Sequence, residues 1–516
     1  MADAGRQQRL LDALGNARAF PDSAGEVERI ETHISCVYLV GEHAYKVKKA
    51  LDLGFLDFSS LEERRRACGE ELRLNRRLAP DVYLRVAPIA GSPDAPTLDG
   101  AGPPIEYAVV MRRFPQSALL SRMWASGMLE TAHMDRLAAL MADFHARIPA
   151  AAPGSGYGDT AAVRRRTLEN LEGLHGLLPE ADADLESLER WTRGELERLS
   201  GRIEQRLLEG RVRECHGDLH LDNLIEWRGR LMAFDGIEFN ADLRWIDVIN
   251  ELAFVTMDLD DRGAERLSRH LRNAYLERTG DYGGLDLLRF YQVYRAMVRA
   301  KVNAIQAGQH AQTTEAQRLR RQAAAYVRLA RRYTEPVRPL LLLTHGVSGT
   351  GKSLLSESLI TERGYIRLRS DVERKRLYGL APDADSAAAG KDIYTAQASR
   401  RTYRRLARLA EMMLRAGFPV IVDATFLRRS HRREFIDLAD SLEARWHILS
   451  LTGRETTLRR RVRERAERGG DPSEADVGIL EKQLSEIEPL SADESKHATV
   501  LDVERVPERW YERIPW

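Results

Sequence analysis

The sequence predicts two domains of different fold class, a bilobal α+β domain over residues 1–335 and an α/β domain with a parallel sheet over 336–516. In the first domain, early strand patterns are followed by long helical patterns, as in a small sheet-bearing lobe joined to a helical lobe. In the second, short apolar runs alternate with amphipathic segments, which predicts parallel strands connected by helices. The boundary lies at Thr334-Glu335-Pro336, where a charged helical pattern ends at a proline.

The composition favours a globular protein and excludes several other classes. The chain has 516 residues, 43% of them hydrophobic, which is enough for about two to four domains with real cores. No run of 18 apolar residues occurs and the polar start has no signal-peptide core, so we expect a cytoplasmic protein without a membrane partner. A net charge of +1 makes nucleic acid a possible but not a favoured partner. Cys36, Cys68 and Cys215 lack metal-ligand spacing and are expected to be reduced.

The elements of the first domain follow in the order strand, strand, helix, strand, strand, and then long helices. We predict strands at 37–40 and 44–48, a helix at 60–78, strands at 83–86 and 107–111 around a loop at 91–104, and helical segments at 130–210 and 262–334. A proline ends the first helix, and a Pro/Gly segment at 153–158 interrupts the later ones. This order predicts a small lobe with a hairpin and one helix, followed by a helical lobe.

The elements of the second domain begin with a buried strand at 340–344, followed by a glycine-rich turn. After it we predict a strand at 365–368, helices at 371–379 and 392–416, a strand at 419–424, a helix at 429–440, a strand at 445–451, helices at 454–467 and 473–486, and a strand at 498–503. The Ala/Asp-rich stretch 381–390 is predicted to be a loop.

A constellation of polar residues in the first domain matches the chemistry of phosphoryl transfer. Asp218, in His216-Gly217-Asp218, precedes Asn223 by five residues, and Asp235 follows within Phe234-Asp235-Gly236. In the protein-kinase catalytic loop this order provides a base that accepts a hydroxyl proton and two ligands for Mg²⁺. Asp218 is therefore the predicted catalytic base, and Asn223 and Asp235 are the predicted metal ligands. Both histidines of the loop fit a scaffolding role better than that of a base.

Two further residues of the first domain are predicted to hold the nucleotide. Lys46 stands in the Ala-x-Lys spacing of the kinase lysine that binds phosphates, with Lys48 as the alternative on the same strand face. Glu71, on the following helix, is the candidate partner of this lysine. Each residue alone also fits a solvated surface position. Asp247 fits either a brace for the catalytic loop or a structural salt bridge.

At these residues the chain resembles the aminoglycoside phosphotransferase family, kinase-like enzymes that phosphorylate hydroxyls of small molecules. The resemblance covers residues 25–310 and implies a bilobal protein-kinase-like fold, with ATP in a cleft near Met111–Phe114 and a small-molecule acceptor near Asp218. The chain departs from protein kinases in lacking a G-x-G-x-x-G before Lys46, which argues against a protein substrate.

The second domain carries a phosphate-binding loop, since His345–Ser353 fits G-x-x-x-x-G-K-[ST] between a strand and a helix. Glycines let backbone N–H groups surround phosphate oxygens, the lysine reaches the β- and γ-phosphates, and the serine holds Mg²⁺. The predicted nucleotide-binding residues are Gly346, Ser348, Gly349, Thr350, Gly351, Lys352 and Ser353, of which Ser353 is also a predicted metal ligand.

Four more residues of the second domain complete this predicted site. Asp423 ends a buried strand and is expected to act on Mg²⁺ through water, although a helix-capping role also fits. Asp371 is the predicted catalytic carboxylate facing the acceptor hydroxyl, and it fits a helix N-cap equally well. Arg461 and Arg465, one turn apart, are predicted to close over the phosphates, while the arginines around them also fit a solvated charged face.

These residues resemble small P-loop kinases of the gluconate kinase, polynucleotide 5′-kinase and zeta-toxin type. The whole chain resembles bacterial proteins that join an aminoglycoside phosphotransferase-like domain to a P-loop kinase-like domain. The resemblance implies a bifunctional phosphotransferase that uses ATP and Mg²⁺ on hydroxyls of small molecules such as sugars, aminoglycosides or nucleosides. A nucleic-acid end-processing enzyme and a regulatory ATP sensor are the alternatives. The sequence indicates neither the acceptors nor the oligomeric state.

Overall fold

The computed structural model describes residues 2–21, 26–52, 54, 56–309, 313–382, 384, 386, 393–468 and 473–515. They form two compact units, Met1–Leu177 with Thr192–Asp258 and Leu178–Trp191 with Leu259–Trp516. The predicted loop at 381–390 lies mostly outside the described residues. Within the described part of the chain, every helix is too short or too polar to cross a lipid bilayer.

The first unit begins with a six-stranded antiparallel sheet in the order β1-β2-β3-β6-β4-β5. Its strands are β1 Glu28–Glu31, β2 Ser35–Val40, β3 His43–Lys48, β4 Tyr83–Ser92, β5 Ala95–Leu98 and β6 Glu106–Arg112. The predicted hairpin is confirmed as β2 and β3, which pair antiparallel. The prediction of a loop at 91–104 is wrong for β5, a short edge strand whose proline hid its alternating burial.

Both faces of this sheet are covered, which explains why its strands are apolar on both sides. Successive residues of β2 enter different cores, because strand side chains alternate between faces. One core contains Tyr38 and the N-terminal helix α1, Ala2–Ala13, which the sequence analysis did not predict. The other contains Leu39 and the helix α2, Leu61–Asn75, which carries Glu71 toward β3.

The rest of the first unit is mainly helical, with two short strand pairs that frame the catalytic loop. The elements are α3 Leu120–Ala125, α4 Thr131–Arg147, α5 Thr160–Glu172, α6 Asp182–Leu208, β7 Val212–Glu214, β8 Leu224–Trp227, β9 Arg230–Ala233, α7 Ala241–Arg244, β10 Trp245–Asp247 and α8 Val248–Asp261. The residues of α6 up to Trp191 and those of α8 after Asp258 belong to the second unit. Strand β7 pairs with β10, and β8 forms a hairpin with β9. The predicted α+β fold is therefore confirmed, and the loop between β7 and β8 is fixed at both ends.

The second unit contains a five-stranded parallel sheet in the order β12-β13-β11-β14-β15. The strands are β11 Leu340–His345, β12 Ile366–Arg369, β13 Val420–Asp423, β14 Arg445–Thr452 and β15 Ala498–Asp502. The central strand β11 is buried along its whole length, as expected for a parallel strand covered on both faces. The predicted α/β fold with a parallel sheet is confirmed.

Helices before and between these strands complete the second unit. They are α9 Glu265–Thr279, α10 Leu285–Gln309, α11 Thr314–Thr334, α12 Lys352–Arg363, α13 Ser370–Leu377, α14 Ala396–Arg415, α15 Arg429–Ser441, α16 Glu455–Arg468, α17 Val477–Glu486 and α18 Ala492–Lys496. The short helix α18 was missed, because it falls below the length at which helical periodicity shows. Helices α13 to α17 begin and end within four residues of the predictions, while α9, α10 and α11 divide the single helical region predicted at 262–334.

Helix α9 is joined to the edge of the parallel sheet by side-chain contacts with backbone groups. Asn273 Nδ2 donates to the carbonyl of Tyr365 at 2.9 Å, and its Oδ1 accepts from the N–H of Arg367 at 2.8 Å. Arg289 of α10 donates to the carbonyl of Gly417 at 2.7 Å. These contacts explain why the helices after residue 258 share a compact unit with the sheet. The sequence-based boundary at 335/336 remains a prediction.

Candidate active sites

The catalytic loop of the first unit is held in place by two buried carboxylates of helix α8. Glu251 Oε1 accepts the backbone N–H groups of His216 at 2.7 Å and Gly217 at 2.9 Å. Asp258 Oδ2 accepts the N–H of Leu221 at 2.9 Å. Gly217 has a φ of 88°, and a Cβ there would lie 2.9 Å from the carbonyl oxygen of Leu243, so the turn requires glycine. These contacts therefore hold the backbone of the loop in one conformation.

The sequence analysis missed this bracing role of Glu251. Of the two alternatives given for Asp247, the structure shows the salt bridge, a buried ion pair with Arg206 in which Nη2 lies 2.7 Å from Oδ1. Glu251 also accepts a hydrogen bond from His145 Nε2 at 2.7 Å. Burial opposes ionisation, but the hydrogen bond and the charge of His145 lower the pKa of Glu251 to about 2. The sequence signal available for this bracing role was the pair of acids Glu251 and Asp258, seven residues apart on the apolar helix α8.

Asp218 and Asn223 are in direct contact. Asn223 Nδ2 donates to the Asp218 carbonyl at 2.9 Å and to its carboxylate Oδ2 at 3.0 Å, which leaves the amide oxygen as an acceptor. The Asp218 side chain is 35% exposed and so is accessible to an acceptor hydroxyl. His216 Nε2 contacts the carbonyl of Phe234 at 2.9 Å, and burial lowers its pKa. A buried neutral imidazole in contact with backbone fits the predicted scaffolding role.

A buried ladder of opposite charges lies beside this loop. It consists of two lysines and the three carboxylates that contact them, Lys46, Lys48, Glu71, Asp235 and Glu238. Lys46 Nζ donates to Glu71 Oε1 at 2.9 Å and also contacts Asp235. Lys48 Nζ donates to Glu71 Oε2 at 2.6 Å and also contacts Glu238. Burial opposes a charged ammonium, but Asp235 and Glu71 raise the pKa of Lys46 well above its usual value. Glu71 thus bridges both lysines, and Lys46 is the one that reaches Asp235.

The ladder separates the roles of the two lysines left open by the sequence. Lys48 is fully buried between Glu71 and Glu238, while Asp235 keeps 46% of its side chain exposed. Burial opposes ionisation, but the two lysines lower the pKa of Glu71 to about 2. Glu238 was not found from the sequence, because no kinase motif assigns an acid to that position. This arrangement favours Lys46 as the phosphate contact and Lys48 as its buried support.

Asp235 is fixed in an unusual backbone conformation next to Asn223. Its φ is 61°, in the left-handed region that few non-glycine residues adopt. The hydroxyl of Tyr83 accepts its N–H at 3.1 Å, and the preceding residue, Phe234, donates its N–H to the carbonyl of Asn223 at 3.0 Å. An amide oxygen and a carboxylate are hard oxygen donors of the type that Mg²⁺ prefers. The donor set therefore fits a magnesium ion.

The phosphate-binding loop of the second unit has the backbone geometry that its glycines predict. Gly346, Gly349 and Gly351 have φ values of 144°, 84° and 76°. A Cβ on Gly346 would lie 2.7 Å from the carbonyl oxygen of Leu451, so no other residue fits there. Thr350 is buried and donates from Oγ1 to the carbonyl of Val347 at 2.8 Å, which closes the turn internally. A cleft of about 900 Å³ is lined by the other predicted loop residues except Gly346, namely Ser348, Gly349, Gly351, Lys352 and Ser353.

The predicted magnesium ligands of this site are in contact with each other. Ser353 Oγ donates to Asp423 Oδ2 at 2.7 Å, which brings the predicted magnesium ligands together. Lys352 Nζ donates to the carbonyls of Gly346 at 3.0 Å and Val347 at 2.9 Å. Burial lowers the pKa of Lys352 to about 8, despite the opposing charge of Asp423. The oxygen donors fit Mg²⁺, and the ammonium is positioned for a phosphate.

Asp371 and the two candidate lid arginines also line the cleft. Helix α13 begins at Ser370, so Asp371 lies in its first turn and the N-cap alternative is wrong. Arg461 Nη2 donates to the carbonyl of Val503 at 3.2 Å, and Arg465 Nη2 donates to that of Ala475 at 2.7 Å. A Cβ on Gly351 would be 4.0 Å from Arg461 Nη1, so this guanidinium is next to the loop.

Several cleft residues were not found from the sequence. Gln483 of α17 accepts the N–H of Ser348 at 2.7 Å through its Oε1. His431 stacks on Tyr403 with ring centroids 4.0 Å apart and planes at 26°. Arg374 lines the cleft as well. These residues come from different helices and belong to no contiguous motif by which they could be identified in the sequence.

If the partly buried Lys352 binds nucleotide phosphates as predicted, the nucleotide affinity of this site is expected to depend on pH. Its pKa of about 8 means that the free protein loses the ammonium as pH rises above that value, whereas bound phosphates favour the charged form. Between about pH 7 and about pH 9.5 the affinity for Mg·AMP-PNP is expected to fall roughly 30-fold, as the protonated fraction declines. Calorimetric titration measures this. Lys352→Arg, which stays charged, is expected to remove the slope, and an unchanged slope would contradict the assignment.

Two family models match this chain. The phosphotransferase enzyme family matches residues 55–291, and an AAA domain matches residues 341–490. An uncharacterized protein of Mycobacterium tuberculosis is 30% identical over 403 residues, which cover 77% of this chain and 78% of that protein. The first match contains Asp218, Asn223 and Asp235, and the second contains the phosphate-binding loop and Asp423.

Solved structures of kinases resemble parts of the chain. A choline/ethanolamine kinase family protein from Mesorhizobium loti is 13% identical, with a TM-score of 0.39, over 63% of this chain and 98% of that chain. A gluconokinase from Sinorhizobium meliloti is 21% identical, with a TM-score of 0.26, over 34% of this chain and 90% of that chain.

Proposed function

Because this chain belongs to the same family as its mycobacterial relative and carries a phosphotransferase-family domain followed by an AAA-type P-loop domain, we propose that it is a bifunctional Mg·ATP-dependent phosphotransferase. Each domain would transfer the γ-phosphoryl group of ATP to a hydroxyl of a small molecule in the cytoplasm. One observation carries the proposal. In each unit a lysine, buried in the first and partly buried in the second, stands beside oxygen ligands suited to Mg²⁺.

In the first domain, Asp218 is the proposed base for the acceptor hydroxyl. Lys46, held by Glu71, would contact the phosphates, and Asn223 and Asp235 would hold Mg²⁺. The ion neutralises charge on the phosphates when it is bound. Glu251 fixes the backbone of the loop, so Asp218 needs little reorganisation when the acceptor arrives. Catalysis would then consist mainly of positioning and charge compensation.

In the second domain, Lys352 and the loop N–H groups are the proposed phosphate contacts. Ser353 and Asp423 would hold Mg²⁺, and Asp371 would accept the proton of the acceptor hydroxyl. Lys352 donates to two loop carbonyls in the free protein, so its ammonium would exchange these weak partners for phosphate oxygens.

The experiment that tests this proposal is a transfer screen with labelled Mg·ATP. The acceptors are sugars, aminoglycosides, nucleosides and an oligonucleotide with a free 5′-hydroxyl. Each reaction is run with Asp218→Asn and with Lys352→Ala, so that any transfer can be assigned to one domain. Transfer to small molecules that is lost in one variant supports the proposal. Transfer to the oligonucleotide alone would favour the end-processing alternative, and nucleotide binding without transfer would favour the sensor.

The lid assignment yields a separate prediction. Arg461→Ala and Arg465→Ala are each expected to lower phosphoryl transfer by the P-loop domain at least about tenfold, which corresponds to about 1.4 kcal/mol of lost transition-state contact. Arg463→Ala, an exposed residue on the same helix outside the cleft, is the matched control and should change transfer little. Steady-state rates and melting temperatures are measured together. Equal effects of all three substitutions would show that the helix is merely a charged surface.

A further inference from the structure

A glutamine on helix α17 contacts the phosphate-binding loop itself. Gln483 Oε1 accepts the backbone N–H of Ser348 at 2.7 Å. Because the loop supplies the donor, the carbonyl oxygen of the amide faces the loop, and its NH₂ group keeps its own capacity to donate. Gln483 lines the same cleft as Lys352 and Asp371, and no hydrogen bond from its Nε2 to another described residue is found. The amide therefore offers a hydrogen-bond donor to a molecule in the cleft.

Lys352 contacts the same peptide unit of the loop as Gln483. Its Nζ donates to the carbonyl of Val347 at 2.9 Å, and the N–H of Ser348 belongs to the same peptide. A peptide unit is planar and trans, so its carbonyl and its N–H point in opposite directions. The ammonium and the amide thus bind the two edges of one peptide. A lysine at this position of the loop reaches the β- and γ-phosphates, so a nucleotide held by Lys352 would have its terminal phosphates within one peptide unit of Gln483.

Helix α17 is fixed against the loop by a capped first turn and by an apolar contact. Asp476 caps the helix, and its Oδ1 accepts the N–H of Ile479 at 2.8 Å. Leu480 is fully buried and packs in one apolar cluster with Val347 of the loop. Gln483 follows Leu480 by three residues, so both side chains lie on the helix face toward the loop. The amide is therefore preorganised, and a preorganised donor stabilises developing charge without the cost of reorientation.

We propose that Gln483 is a further catalytic residue of the P-loop domain, whose Nε2 donates a hydrogen bond to an oxygen of the transferred γ-phosphoryl group while Oε1 stays on the N–H of Ser348. This inference rests on the proposed phosphotransferase function and adds a residue to its mechanism. In the transfer, the acceptor oxygen bonds to the γ-phosphorus and its proton passes to Asp371. The bond to the β–γ bridging oxygen breaks, and its electron pair leaves on ADP. The amide stabilises charge on the oxygens of the moving group without repelling the ammonium of Lys352.

The test compares a nucleotide that has a γ-phosphate with one that lacks it, in the full chain with Asp235→Asn to weaken the first site. Mg·AMP-PNP and Mg·ADP are titrated calorimetrically. Gln483→Ala is expected to weaken Mg·AMP-PNP at least about tenfold, as for the loss of one hydrogen bond to a charged group, and Mg·ADP less than about twofold. Gln483→Glu keeps an oxygen that accepts from Ser348 but has no N–H donor, so the selective loss should persist. Glu481→Ala, which removes an exposed side chain of the same length from α17 outside the cleft, is the matched control.

Three binding results would overturn the inference. Equal weakening of both nucleotides by Gln483→Ala would show that the amide merely anchors the loop. Tighter binding of both would show that the amide blocks the phosphate position, and unchanged binding would show that it contacts no phosphate. The melting temperature of each variant is recorded, and Gln483→Glu decides if Gln483→Ala does not fold.

A transfer measurement separates this inference from the function on which it rests. Transfer of labelled phosphate is measured in the Asp218→Asn background, so that the first domain contributes nothing. Transfer that is at least about tenfold slower with Gln483→Ala supports the catalytic role. Transfer as fast as in the parent overturns the inference but keeps the function. A selective loss of Mg·AMP-PNP affinity, with no transfer by the parent to any acceptor, keeps the γ-phosphate contact and counts against the function.

Discussion

Asp218→Asn is expected to lower phosphoryl transfer by the first domain by about 10²- to 10⁴-fold, the usual contribution of a positioned general base. The amide cannot take up the hydroxyl proton, but it preserves the shape of the side chain and its contact with Asn223. Nucleotide affinity should change little, because the proposed role of Asp218 is toward the acceptor. Steady-state transfer rates and calorimetric titration of Mg·AMP-PNP measure the two effects separately.

Two variants serve as controls for this result. Asp235→Asn is expected to weaken Mg·ATP binding, since it removes the charge of a proposed metal ligand and of one of the two carboxylate partners of Lys46. Asp222→Asn makes the same chemical change at an exposed position of the same loop and should leave both quantities nearly unchanged. Similar losses of nucleotide affinity in the Asp218 and Asp235 variants would contradict the assigned roles.

Lys352→Ala is expected to weaken nucleotide binding at the P-loop site by at least about 30-fold, or about 2 kcal/mol, as for the removal of one member of a buried charge pair. The lysine is partly buried, and no neighbouring cation in the described cleft occupies the same place in the loop. The site in the first unit should be unaffected. Titration with an ATP analogue is therefore expected to change from two sites to one.

Lys496→Ala provides the control, because that lysine is exposed and pairs only with Asp493 among the described residues. It should leave two sites in the titration. If the wild-type protein binds a single nucleotide under saturating Mg²⁺, the two-site proposal is wrong. If Lys352→Ala weakens both sites, the two nucleotide sites are not independent.

The fold classes of both halves were predicted from the sequence and are confirmed. Parallel strands such as β11 are buried on both faces, so they appear as uninterrupted apolar runs whose ends are easy to place. The short edge strand β5 and the helix α18 were missed, because neither is long enough to show a period. The assigned catalytic and binding roles remain predictions that the variants above test.

The sequence by itself determined the residues whose function depends on a short stretch of chain. The phosphate-binding loop is one continuous turn. Its glycines and Lys352 are close in space because they are close in sequence within that turn. The pair Asp218 and Asn223 likewise belongs to a single loop, in which the amide reaches the carboxylate. Local geometry alone fixes such groups, so their spacing is visible before the chain is folded.

Only the tertiary structure decided which distant side chains support these groups. Glu251, from a helix after the catalytic loop, replaced Asp247 as the brace, and Glu238 joined Lys48 in the buried ladder. Among the described residues, Arg374 donates to neutral groups from two other segments, the carbonyl of Ile393 and Ser399 Oγ. Burial and the presence or absence of a partner depend on how separate elements pack together. Residue type and spacing do not contain that information, whereas the free energy of a buried charge depends on it directly.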